Sequence, residues 1–185
     1  MRRVAVIAPL LSVLLVATAC GSEDSDELSS DERKAAQSLA AEFQGPGPSA
    51  SRRDNGVCLG KELVRRAGVD LLVSSGMLTE DLEVNQDLPE TVPDEIATAY
   101  ADAYVACQDL RAELADVADF YPDLTDAQVD DYIACMDDVD DDLLRAAVIA
   151  QVTGEGEEAA TAAWTEATKS CTDLLGAPGG DLPTP

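Results

Sequence analysis

No histidine occurs among the 185 residues. That absence removes the commonest general base, the commonest metal ligand and the Ser-His and Cys-His nucleophile pairs together, so enzymes of those classes are not expected. Aromatic residues are scarce, with one Trp, four Tyr and two Phe. A core must therefore be filled with Leu, Val and Ala and reinforced by cross-links. Basic residues are few as well: 12 Lys and Arg stand against 37 Asp and Glu, a net charge of −25. A surface this acidic repels phosphate backbones and anionic lipid headgroups, which disfavours nucleic-acid binding and adsorption to a membrane through charge. The absence of any Cys-x-x-Cys pair takes away the usual redox motif. Nothing in the chain calls for a cofactor.

What is present begins at the N-terminus. Met1-Arg2-Arg3 precedes an apolar run from Val4 to Val16, closed by Ala17-Thr18-Ala19-Cys20-Gly21. A positive start, about a dozen apolar residues and small residues at the end make the layout of an export signal, which an ordinary secretory signal would share. The run is too short for a comfortable membrane span. With a cysteine directly after the small residues, the segment resembles a bacterial lipoprotein signal, although Ala17 stands where that pattern most often has leucine.

The resemblance implies that residues 1–19 are removed and that Cys20 becomes the acylated N-terminus. The lipid bilayer would then be a partner, with the body on the outer face of the cytoplasmic membrane. Without residues 1–19 the chain loses two arginines and no acid, leaving −27 over 166 residues, one domain's worth of chain. A single acyl group binds a membrane only marginally, whereas two or more hold firmly, so the anchor is lipid and the acidic body hangs away from the surface.

Residues 20–30 continue as a polar, acidic tether without apolar period. Residues 31–175 form the expected helical domain, and the tail 176–185, rich in Pro and Gly, is expected to be loose. Spacings of three and four predict a weakly apolar first helix from Ser30 or Asp31 to about Phe43. Gln44–Asn55, with Gly45, Pro46, Gly47 and Pro48, reads as an exposed loop. A short helix carrying Cys58 and Leu63 follows, and after Gly68 a second, capped by Asp70, ends at Gly76. Residues 80–93 read as a long connection. Ile96, Tyr100, Ala103, Cys107, Leu110, Leu114 and Val117 then predict one continuous amphipathic helix with all seven on one face. Thr125 and Gln128 make a capping box for the next. The run Asp137 to Asp142 either interrupts that helix or coats it before Leu144 and Val148 resume the pattern. Past Gly154 and Gly156, a last helix over about Glu157–Leu175 aligns Ala160, Trp164, Ala167, Cys171 and Leu174.

Four cysteines besides Cys20, an even number in an exported chain, read as two disulfides. Tyr100, Ala103, Cys107, Asp109 and Leu110 share their spacing with Trp164, Ala167, Cys171, Asp173 and Leu174. Each copy follows an earlier cysteine helix and a second helix ending at a glycine. Two duplicated three-helix units, about 55–118 and 125–175, would give this pattern; so would chance similarity between Ala-rich amphipathic helices. Duplication pairs Cys58 with Cys107 and Cys135 with Cys171, while the main rival joins Cys107 to Cys135 and Cys58 to Cys171.

Candidate sites are few. Asp137, Asp138, Asp140, Asp141 and Asp142 are weak candidates for a divalent cation, since they lack the EF-hand arrangement of acids, glycine and late glutamate. Asp126, Asp130 and Asp131 suit a helix start. Arg52-Arg53 and Arg65-Arg66 read as offsets to nearby acids, and Tyr100, Tyr104, Tyr132 and Trp164 as packing residues. The expected fold is all-α, an irregular disulfide-stapled bundle of about six or seven helices around one core. In arrangement the chain resembles small exported helical lipoproteins of high-GC Gram-positive bacteria, which implies location and architecture but no activity. The first functional expectation is a non-catalytic interaction or structural module of the envelope, facing a protein partner. A small-ligand or cation-binding lipoprotein is the alternative, and an envelope hydrolase using paired carboxylates the outsider.

Overall fold

A computed structural model of the chain describes residues 28–87, 89, 91–116, 121 and 123–176. The export signal, Cys20, the tether up to residue 27, Val117 and the tail from residue 177 lie outside the described residues. Among those described, the chain is all-α, with eight helices, no strand and one isolated bridge between Leu78 and Val84. Both expected staples are formed, Cys58 to Cys107 and Cys135 to Cys171, with Cα separations of 5.7 and 5.5 Å.

Helix α1, Ser30–Gln44, starts with a capping box in which the Ser29 hydroxyl accepts from the Glu32 amide and the Glu32 carboxylate accepts from the Ser29 amide at 2.7 Å. Those bonds hold the Glu32 carboxyl below its usual range. The helix is weakly apolar, yet it makes the most extensive helix pairing of the fold, with α2, Ala50–Ala67. The reason lies in small residues on both partners. Gly56 and Gly60 of α2 face Ala36 and Ala40 of α1, and a Cβ on Gly60 would stand 2.4 Å from the Ala36 carbonyl oxygen. Backbone meets backbone here, so Leu39, Leu59, Leu63 and Val64 beside the contact become buried.

The exposed loop expected over 44–55 is shorter than the sequence suggested, because α2 already begins at Ala50. Ser49 supplies the cap by accepting from the Arg52 amide at 3.2 Å, and Asp116 accepts from the hydroxyls of Ser49 and Ser51 at 2.7 and 2.6 Å. The carboxylate also offsets Arg52, whose charge is unfavourable in a first turn. Helix α3, Val69–Ser74, is bounded by Gly68 and Gly76, both at positive φ; Asp70 sits in its first turn and Gly68 holds the cap position.

Helix α4, Asp94–Cys107, corrects the expected long helix. The chain leaves helical geometry at Gln108, with ψ at 126°, and restarts as α5, Leu110–Asp116. Asp109 makes the break by accepting from the Ala112 amide at 3.0 Å with its side chain and from the Glu113 amide with its carbonyl. Short acidic side chains compete with the helix ladder in this way. Ile96, Ala103 and Cys107 stay with the main core, whereas Leu110 and Leu114 are carried off on α5. This split raises the expected count of about six or seven helices to eight.

Helix α6, Asp126–Asp137, carries the expected capping box at Thr125 and Gln128. The acidic run interrupts rather than coats: Asp140 caps α7, Asp141–Thr153, by accepting from the Asp142 amide at 2.9 Å. Gly154 and Gly156, both left-handed, turn the chain into α8, Glu157–Thr172, and a 3-10 turn at Asp173–Leu175 ends the described chain near α6.

Helix α4 occupies the centre. One side meets α2 in the main cluster with Leu63, Leu72 and Leu78; the other puts Ala101 against Leu144 and Val148 of α7. Tyr100 and Tyr104 pack against both clusters. Asp102 adds a polar tie, accepting from Arg145 Nε at 2.5 Å and standing 3.9 Å from Arg66 Nη1. Each staple joins an opening helix to the end of a closing one, α2 to α4 and α6 to α8. The middle helices differ: α3 is only 6 residues long and lies beside α2, whereas α7 is 13 residues long and packs chiefly on α4.

Gly60→Ala tests the close approach. Alanine is favoured over glycine in a helix by about 1 kcal/mol, but its Cβ meets backbone that cannot move without displacing α1, an overpacking cost of about 1–3 kcal/mol. A net loss of stability is expected in denaturant unfolding. Gly56→Ala should cost less, because its nearest obstacle, at 2.6 Å, is the flexible Gln44 Cγ.

Candidate functional site

The break at Gln108 has a structural result. Because α5 departs from the line of α4, a groove opens between these two helices, α6, the turn after it, α7 and α8. Its volume is about 720 Å³ and it is open to solvent on one side. Val105, Leu110, Ile133, Met136, Leu144 and Trp164 supply an apolar lining, with Met136 and Leu144 buried beneath it. Asp109, Asp137, Asp140 and Asp141 form an exposed acidic rim. Arg111 is the one basic residue of the lining, and it is already paired with Asp130 on α6.

The acidic run is divided among different tasks. Asp137 and Asp138 end α6, Asp140 caps α7, and Asp142 pairs with Arg145. Three of the five cation candidates, Asp137, Asp140 and Asp141, reach the groove rim. Among the described residues no three acidic, cysteine or histidine side chains converge as metal ligands would. Asp126 stands in the first turn of α6, Asp130 holds Arg111, and Asp131 is exposed.

Three of the paired arginines meet acids, Arg52 at Asp116, Arg65 at Glu62 and Arg66 at Glu62 and Asp102, whereas Arg53 donates to the Pro48 carbonyl. Tyr100 stacks obliquely between Phe43 and Tyr104, with ring centroids 5.7 and 6.4 Å away. Burial raises the phenols of Tyr100, Tyr104 and Tyr132. Trp164 departs from a pure packing role, being half-buried at the edge of the second cluster and part of the groove wall.

A neighbouring recess of about 230 Å³ lies beside the Cys58–Cys107 staple, with Asn55, Asp109, Glu113 and Asp116 among its lining residues. Burial lifts the Glu113 carboxyl above its usual range, the charge of Asp109 lifts it further, and a hydrogen bond with Gln108 opposes both. Glu113 is half-buried on α5, past the break after Cys107.

The groove can therefore accept a group that is apolar on one side and positively charged at its edges. Its lining removes apolar surface from water, and its carboxylates accept from ammonium or guanidinium donors. Glu113 supplies a pH test of the surrounding structure. Because its folded pKa is raised, its contribution favours folding below the unfolded value and is lost as pH rises through the folded one. Glu113→Gln should thus raise the thermal midpoint at neutral pH, and the gain should vanish in melts near pH 4. Comparison with protein-family models, with curated proteins and with solved structures found no match.

Proposed function

We propose that this protein is an exported lipoprotein, held through acylated Cys20 on the outer face of the cytoplasmic membrane, where it acts as a non-catalytic interaction module. The groove carries the interaction reading: an apolar lining under an acidic rim, on a body stapled twice by disulfides. The arginine-led apolar run closed by Ala17-Thr18-Ala19-Cys20 carries the location. Paired cysteines agree with an oxidising compartment. No helix among the described residues is long and apolar enough to cross a membrane, and acyl chains on Cys20 supply the attachment that a body at −27 would not make by itself.

Metabolic labelling with a fatty-acid analogue tests the location. The full chain should take up label and sediment with membranes, and Cys20→Ala should lose the label and release the protein. Equal labelling of the variant, or a soluble unlabelled parent chain, contradicts the assignment.

A further inference from the structure

We propose that the groove docks an amphipathic helical segment of a protein partner, with an apolar ridge on one side and Lys or Arg along its flanks. The inference rests on the interaction-module reading and names the chemistry of the partner. Charge complementarity selects the sign: four rim carboxylates face solvent, Arg111 in the lining is committed to Asp130, and Arg145 near Asp141 is committed to Asp102 and Asp142. The lining selects the shape. Val105, Leu110, Ile133, Met136, Leu144 and Trp164 come from five helices and converge on one groove, an apolar floor within a lining that is otherwise polar. A helix laid into such a trough inserts residues spaced by three and four, with its charged flanks brought to the rim. The open side favours a segment over a small molecule, since pockets for small ligands enclose most of the ligand surface.

Anionic surfaces are excluded as occupants by the same rim. A wholly polar cation would leave the trough unfilled, and a neutral apolar helix would leave the carboxylates without donors. At this net charge the groove repels acidic segments, so basic flanks add encounter rate as well as affinity.

Trp164 makes the test direct, because it is the chain's single tryptophan and lines the groove. The chain from residue 20 to 185 with Cys20→Ala is titrated with a tryptophan-free peptide of Leu and Lys, about 14 residues or ~20 Å as a helix, with leucines at helical spacing. This design keeps the result independent of acylation. A saturable blue shift of Trp164 emission is expected, weakening with salt. Replacing the three rim acids by Asp137→Asn, Asp140→Asn and Asp141→Asn should reduce affinity about tenfold, as the sum of three exposed pairs. Asn at 140 preserves the helix cap. Asp70→Asn, Glu80→Gln and Asp81→Asn remove the same charge from exposed positions off the groove, and should leave affinity within about twofold.

The proposal is overturned if the two triple variants weaken binding equally, which would mark diffuse attraction. It is also overturned if a scrambled peptide of the same composition binds as well, if the Trp164 emission does not move, or if a simple alkylammonium saturates the groove and displaces the peptide at equal concentration. That last result would assign the groove to a small cationic amphiphile. Loss of membrane attachment in the labelling experiment leaves each of these outcomes intact, so the two readings fail separately.

Discussion

Burial of α4 from two sides is the constraint on which the rest of the structure depends. Ala97, Ala99, Ala101 and Ala103 place small side chains around this helix, so α2 and α7 can both close on it. A chain with seven aromatic residues has few large rings with which to fill space between helices. It brings the helices closer instead, through alanine on α4 and through glycine against alanine where α2 meets α1. Leu and Val then fill the smaller gaps, and close packing recovers dispersion contacts that larger side chains would otherwise supply.

The two halves pack on α4 to a similar extent but bury their side chains unequally. On the α1–α3 side, the cluster takes in Leu39, Leu63, Leu72, Leu78 and Ile96, all nearly without exposure. On the other side the buried cluster is only Ala101, Leu144 and Val148, and the latter two keep some exposure. Helix α6 touches its neighbours thinly, through α5, α8 and the final 3-10 turn, and its firmest tie is the Cys135–Cys171 bond. Closing loops with sequence separations of 49 and 36 residues restricts the unfolded chain by about 4 kcal/mol each in the chain-entropy account. That is a modest addition for the well-packed half and a large share of what keeps α6 in position. The thin packing is also what leaves the groove open: α5 and α6 frame it without filling it.

Much of this was legible in the residues. Helical class and the Thr125–Gln128 capping box follow from periodicity and the Thr-with-Gln signature, and the duplicated cysteine spacing favoured the two staples that form. The helix pairing of α1 leaves little trace in apolar periodicity, because Gly56 and Gly60 act by having no side chain. The early start of α2 depended on Asp116, distant in sequence, receiving Ser49 and Ser51. The break at Gln108 ran against an unbroken heptad from Ile96 to Val117, and a single Asp109 side chain bonding to the Ala112 amide outweighed that pattern. With the break went the groove and the partial burial of Glu113, which no local spacing could announce.

Amide hydrogen exchange on the Cys135→Ala, Cys171→Ala double variant tests the account most directly, since it separates the half held by packing from the half held by its staple. Protection of α1, α2 and α4 should remain at the level of the parent chain, while the amides of α6 exchange much faster and α8 loses protection at its C-terminal end. Uniform loss of protection across all helices, or unchanged protection of α6, would contradict it.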